Sequence, residues 1–312
     1  MIRRDFPHDD QGNVLQILLW FLFIVAILSV GARLGTKYYM TRKLGWDDWI
    51  LLAAQSAYLA QCVSISMGVS QGLGQPTSSL SEAAVERLLQ AEYASFVFQL
   101  SSLALIKWSI SISIQHLSPS AKHQRLDWIL RLAVGVWVLT SVLTSLFQCA
   151  FPAPWDYIHG SHCINRRAWW SYVAVGNIGT EFFIVALYCL IIGTLRMSLL
   201  RRSFVLLIFS SRLIIIGIAL AQLAVFLDSF PSLDLTKNLW LPTVLNQATL
   251  SASVVTACGP YLRPFMESLE SGVARVLPES EEDFSHSRTV SSGNHLSNFS
   301  NSAACSSRTT DR

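Results

Sequence analysis

Residues 14–34 read VLQILLWFLFIVAILSVGARL. A single ionisable side chain interrupts this apolar run, Arg33, next to its last position. At about 1.5 Å per residue, a helix of this length crosses a hydrocarbon layer of about 30 Å. Arg3 and Arg4 precede the run and Val30-Gly31-Ala32 has the form of a cleavage site, so a secretory signal competes for the assignment. The apolar part of a signal takes only about 7–15 residues, and the run reads instead as an uncleaved first membrane helix.

Working outward, the pattern recurs six more times. The spans expected are Val14 to Leu34, Trp49 to Met67, Tyr93 to Ile114, Trp128 to Cys149, Trp170 to Leu195, Phe204 to Leu227 and Trp240 to Tyr261. Composition agrees: of 312 residues, 52% are apolar and 14% charged, with mean hydropathy +0.42. Soluble domains carry roughly 25% charged residues. A net charge of +3 without a basic patch points away from nucleic acid. Six cysteines with no CxxC pair exclude a zinc ribbon and a disulfide-stapled mini-protein. The fold expected is all-α, a polytopic seven-transmembrane-helix bundle over residues 14–273. Residues 1–13 form an extracytoplasmic N-terminus. Residues 278–312, with few apolar side chains and ten serines, form a cytoplasmic tail expected to be disordered.

Orientation follows from loop charge. The first, third and fifth loops carry Lys37, Arg42, Lys43, Lys122, Arg125, Arg196, Arg201 and Arg202. The alternate loops carry only Arg87, Arg166, Arg167 and Lys237. The N-terminus therefore lies outside and the C-terminus in the cytoplasm. Trp46, Trp49, Trp128, Trp155, Trp169, Trp170 and Trp240 fall at or near span ends, as an interfacial aromatic belt would.

Gly68-Val69-Ser70-Gln71-Gly72 matches GxSxG by letters. A nucleophile elbow needs a strand before the serine; here a membrane span precedes it, and the glycines read as a helix stop and turn. No HExxH or paired His/Asp constellation is present, so no catalytic residue, metal or cofactor is assigned and the chain is not expected to be an enzyme. Retinal needs a lysine for its Schiff base, and Trp240 to Tyr261 contains none. Ile114-Gln115-His116 and Gly259-Pro260-Tyr261 also differ from the acidic-Arg-aromatic and NPxxY elements of G-protein receptors. His159, His162 and Cys163 lie close together and offer metal ligands. The competing and preferred reading pairs Cys163 with Cys149, because extracytoplasmic thiols oxidise. Cys62, Cys189 and Cys258 read as packing residues.

Lys107, Glu181 and Arg212 are the ionisable groups placed at membrane depth, where charge is costly and marks either function or a packing network. Helix rise puts Glu181 roughly 9–11 Å from the level of the two basic Cα atoms. Glu181 is expected to be ionised and to pair with Arg212 in preference to Lys107, leaving one cation for water, a carbonyl or an anionic ligand. Asp47 and Asp48 open the second span, where they cap free N–H groups and oppose the basic loop beside them.

These residues support a family resemblance. Arg42-Lys43-Leu44-Gly45-Trp46-Asp47-Asp48 resembles the entrance to the second helix in fungal rhodopsin-like-domain integral membrane proteins. Gly72-Leu73-Gly74 is similar to their GLG turn, and Lys107 with Ser109 to their third-helix Lys-x-Ser. Phe147-Gln148-Cys149, Trp155 and Gly160 to Cys163 resemble their outer loop. Phe209 to Arg212, Pro260 to Phe265 and Gly272 complete a similarity over residues 15–273. Gln75 stands where many members have His, Glu181 where many have Asp, and His116 where Arg is usual. The Cys149-to-Trp155 spacing is one residue short of the family's.

The resemblance implies a seven-helix, receptor-like membrane protein in which "rhodopsin" describes shape and not a chromophore. Expected partners are the lipid bilayer, a small-molecule ligand and a cytoplasmic signalling partner, with the plasma membrane preferred over endomembranes. A small-molecule transporter or channel using the intramembrane charges is the first alternative. A membrane-embedded accessory protein or enzyme of a biosynthetic pathway is the second. Orientation has a direct test, because Asn298-Phe299-Ser300 is the one N-glycosylation sequon. A cytoplasmic tail leaves it unmodified in a eukaryotic host; a glycosidase-sensitive mass shift abolished by Asn298→Gln would reverse the orientation.

Overall fold

The computed structural model describes residues 8–75, 79–117, 120–150, 152–157, 163–194, 199–229 and 240–276. Among these residues seven helices follow in order: α1 (His8–Thr41), α2 (Trp46–Ser70), α3 (Glu82–Leu117), α4 (Ala121–Leu146), α5 (Arg166–Thr194), α6 (Leu199–Ser229) and α7 (Trp240–Val276). Among the described residues there is no strand, only an isolated bridge between Cys149 and Cys163. Met1–Phe265 forms one compact unit; a second, Met266–Arg312, contributes the last turns of α7 to the described chain. His159, His162 and the tail with Asn298 lie outside the described residues.

Among the described residues, five helices are long and apolar enough to cross a membrane, α1 to α5, while α6 contributes the shorter apolar run Ser211–Leu227. The side chains are distributed as a bilayer demands. Ile17, Phe21, Ile24 and Leu28 of α1 and Leu132, Val136 and Leu139 of α4 point away from the protein. Gln61, Ser102, Lys107, Glu181, Arg212 and Gln247 are buried within it. Lipid solvates the apolar exterior, and only the interior offers partners to polar groups. In α1 the inward stripe is Leu15, Leu19, Phe23, Ala26 and Val30, spaced at three and four residues as one helical face requires. Phe23 meets Tyr58 of α2 edge to face at 5.2 Å.

The GxSxG segment is a helix stop. Ser70, the last residue of α2, turns its hydroxyl back to the Met67 carbonyl at 2.7 Å. The amides of Gly72 and Leu73 close on the carbonyls of Val69 and Gly68, and Gly72 and Gly74 take φ of 101° and 95°, angles that an L side chain resists.

Two expectations need correction. The helices extend past the apolar spans, α3 beginning at Glu82 and not near Tyr93, and α1 continuing to Thr41. Helical hydrogen bonding propagates beyond the bilayer wherever no breaker stops it, so hydropathy underestimates helix length. The tryptophan belt is also only partial. Trp46, Trp49 and Trp128 are exposed, but Trp169 is buried against Phe96 at 4.7 Å and Trp170 at 5.5 Å. An indole at a span end packs inward when its helix face turns that way.

Candidate functional site

Lys107 lies on the buried face of α3, with Leu103, Ala104, Ile106 and Ile110 as its buried neighbours in sequence. Its Nζ donates to Glu181 Oε1 of α5 at 2.7 Å and to Thr180 Oγ1 at 2.8 Å. A longer contact, 3.3 Å, runs to the Asn177 carbonyl. Arg212 of α6 donates through Nη1 to the other Glu181 oxygen, Oε2, at 2.9 Å. Both carboxylate oxygens are thereby engaged by cations from different helices, and all three residues are 1% exposed. The sequence expectation of one paired and one leftover cation is corrected: Glu181 takes both. The helical rise that separates the Cα atoms is spanned by two long side chains converging on one carboxylate.

Trp137 of α4 forms the side of this site, its ring centre 5.8 Å from Lys107 Nζ. Gly176 of α5 makes that position available, since a Cβ there would collide with the indole nitrogen. Thr180 is oriented by donating to the Gly176 carbonyl at 2.8 Å, which leaves its oxygen free to accept from Lys107. The cluster holds two cations and one anion, and Arg212 Nη2 is buried without a hydrogen-bond partner.

The described residues hold three further ionic groups. Arg33, buried in α1, donates to Asp47 at 2.6 Å, to Asp48 at 3.3 Å and to the Ala257 carbonyl of α7 at 2.9 Å. Lys37 contacts Asp47 at 2.9 Å and Asp48 at 2.6 Å. Asp48 also accepts from the Gly45 amide at 2.9 Å, and Ser109 of α3 donates to the Asp47 carbonyl at 2.7 Å. Asp47 and Asp48 therefore do more than cap α2: their basic partners come from α1, and the group ties α1, α2, α3 and α7 together. Asp127 of α4 pairs with Arg131 at 3.0 Å and accepts from Ser111 of α3.

The third group lies beside the disulfide. Cys149 and Cys163 are bonded, which takes Cys163 out of the alternative metal-ligand set. Glu92 of α3 accepts from Arg166 at 3.1 Å and from the Tyr157 hydroxyl at 2.8 Å, and the guanidinium stacks 3.4 Å above the Tyr157 ring. Burial first, then the adjacent Glu92 carboxylate, pushes the Tyr157 phenol upward from its ordinary pKa. A cavity of about 10 Å³ lined by Glu92, Gln148, Tyr157 and Arg166 adjoins this group, space for about one water.

Neutral amides bridge other helices. Asn246 Oδ1 of α7 accepts from Gln99 of α3 at 2.7 Å and from Gln222 of α6. Gln247 donates to Gln61 of α2 at 2.9 Å. Sequence reading missed these residues, and it missed Arg33, Asp127, Glu92 and Arg166 as interior partners. One signal was available: Arg33 and Lys37 are four residues apart on one helix face, in the helix that precedes the acidic pair Asp47-Asp48.

The fungal rhodopsin domain matches residues 32–268, well over half of the chain, and covers all of Lys107, Glu181 and Arg212. The chain belongs to that family. No curated protein matches it.

A double-mutant cycle on thermal stability in detergent measures the cluster. Glu181→Gln leaves two buried cations unpaired and should cost about 3–5 kcal/mol. Glu181→Gln combined with Arg212→Gln should cost clearly less than the sum of the single changes. Strict additivity would mean that the two side chains do not interact.

Proposed function

We propose that this member of the fungal rhodopsin domain family is a receptor-like sensor in the plasma membrane, with its N-terminus outside and its C-terminus in the cytoplasm. It works without retinal or another cofactor and without catalysis, and it passes its state to a cytoplasmic signalling partner. The observation that carries this reading is the joint hold of Glu181 on Lys107 and Arg212, which ties α3, α5 and α6 through one carboxylate. A network with a single shared anion is suited to switching: a ligand that competes for either cation releases one helix from the other two. Lys107, engaged by Glu181 and Thr180, serves in this reading as an ion-pair partner and not as a chromophore attachment point.

Transport is the second reading. The amide layers Gln61–Gln247 and Gln99–Asn246–Gln222 favour it, since they supply polar groups at other levels of the bundle. Sensing is preferred because the same amides bind one another and hold helices together.

Spin labels at Gln115 of α3 and Ser203 of α6, read by double electron–electron resonance in nanodiscs, test the proposal. The wild type should give one dominant distance, and Glu181→Gln a second, longer population. Identical distributions would remove the switching role. Glu181-dependent solute uptake into proteoliposomes would replace sensing by transport.

A further inference from the structure

We infer that the Lys107–Glu181–Arg212 cluster binds one small monovalent anion, a halide or a short carboxylate, at the buried, unpartnered Nη2 of Arg212. Charge balance between the clusters points to this site. Arg33 and Lys37 face Asp47 and Asp48, two cations on two anions. Arg131 faces Asp127, and Arg166 faces Glu92, one on one. Among the described residues these groups are internally neutral. The cluster shared by α3, α5 and α6 is not, because two cations meet a single carboxylate whose two oxygens are already in use.

The excess charge sits at a definite atom. Arg212 is 1% exposed, and its Nη2 has no acceptor, whereas Nη1 is bound to Glu181. Thr180 Oγ1 and the Asn177 carbonyl accept from Lys107, and the Asn177 side-chain oxygen is buried without a hydrogen-bond partner. A second unpaired donor, the Trp137 indole N–H, belongs to the ring that flanks Lys107. Water would accept from Nη2 without relieving the net charge. A monovalent anion does both, and a divalent one would leave the cluster negative. Guanidinium offers the planar, weakly hydrated donor edge suited to such a guest.

The test uses purified full-length protein in detergent at constant pH and ionic strength, with sodium gluconate replaced stepwise by sodium chloride, bromide or formate. The wild-type Tm should rise by several degrees and saturate, as mass action at one site requires. Whether halide or formate saturates at the lower concentration identifies the guest. Lys107→Met leaves a neutral Glu181–Arg212 pair and should lose the saturable rise. Arg212→Gln should lose it too, and Lys107→Met keeps the test decisive should that variant fail to fold. A flat wild-type curve would overturn the inference, and so would the same curve in Lys107→Met, which would mark a general salt effect. Anion binding goes beyond the sensing proposal and is separable from it. A saturable anion effect with unchanged spin-label distances retains the site and removes the sensor, and the reverse result does the opposite.

Discussion

An ionised carboxylate inside a bilayer is tolerated only where cations and donors replace its water, and Glu181 meets that condition by drawing a lysine from α3 and an arginine from α6. Much of the surrounding structure follows from it. Trp137 stands beside Lys107, where α4 approaches α5 closely, and Gly176 permits the approach by having no side chain. Thr180, one residue before Glu181, turns its hydroxyl so that the lysine finds a second acceptor. Each residue is explained by the one it serves.

The bundle is organised by polar contacts at several levels, and its apolar surface is left to the lipid. In water the hydrophobic effect would drive these helices together; in hydrocarbon that force is absent, and packing with interhelical hydrogen bonds takes its place. The group around Arg33 holds one set of helices and the amides of Gln61, Gln99, Asn246 and Gln247 hold another. The Glu92–Arg166–Tyr157 group lies beside the disulfide. Among the described residues, the group centred on Glu181 differs from the other ionic groups in carrying unequal charge, and the proposals of sensing and anion binding both rest on it.

Seven helices were legible in the sequence because an apolar run long enough to cross hydrocarbon is rare in a chain that folds in water. Lys107, Glu181 and Arg212 stood out against the same background, each being a charge set in hydrocarbon. Arg33 did not: at the end of its run it looked like an interfacial residue, and its contacts with Asp47, Asp48 and the Ala257 carbonyl on other helices show that it is interior. Glu92 and Arg166 lay outside the apolar spans and read as solvated ends, because the extension of α3 to Glu82 leaves no hydropathy signal. The double engagement of Glu181 depends on where three helix axes converge, which no single helix pattern encodes. Membership of the fungal rhodopsin domain family was carried by short motifs in their order along the chain.

Sensing and anion binding both require Glu181 to be a carboxylate shared by two cations. Infrared spectra of the protein in nanodiscs, compared between wild type and Glu181→Gln, read this state directly. The substitution should remove carboxylate stretching bands, shifted by their cationic partners, and remove nothing from the carbonyl region of protonated acids. Loss of a protonated-acid band on Glu181→Gln would contradict the shared ion pair, because a neutral Glu181 cannot hold Lys107 and Arg212 as ions.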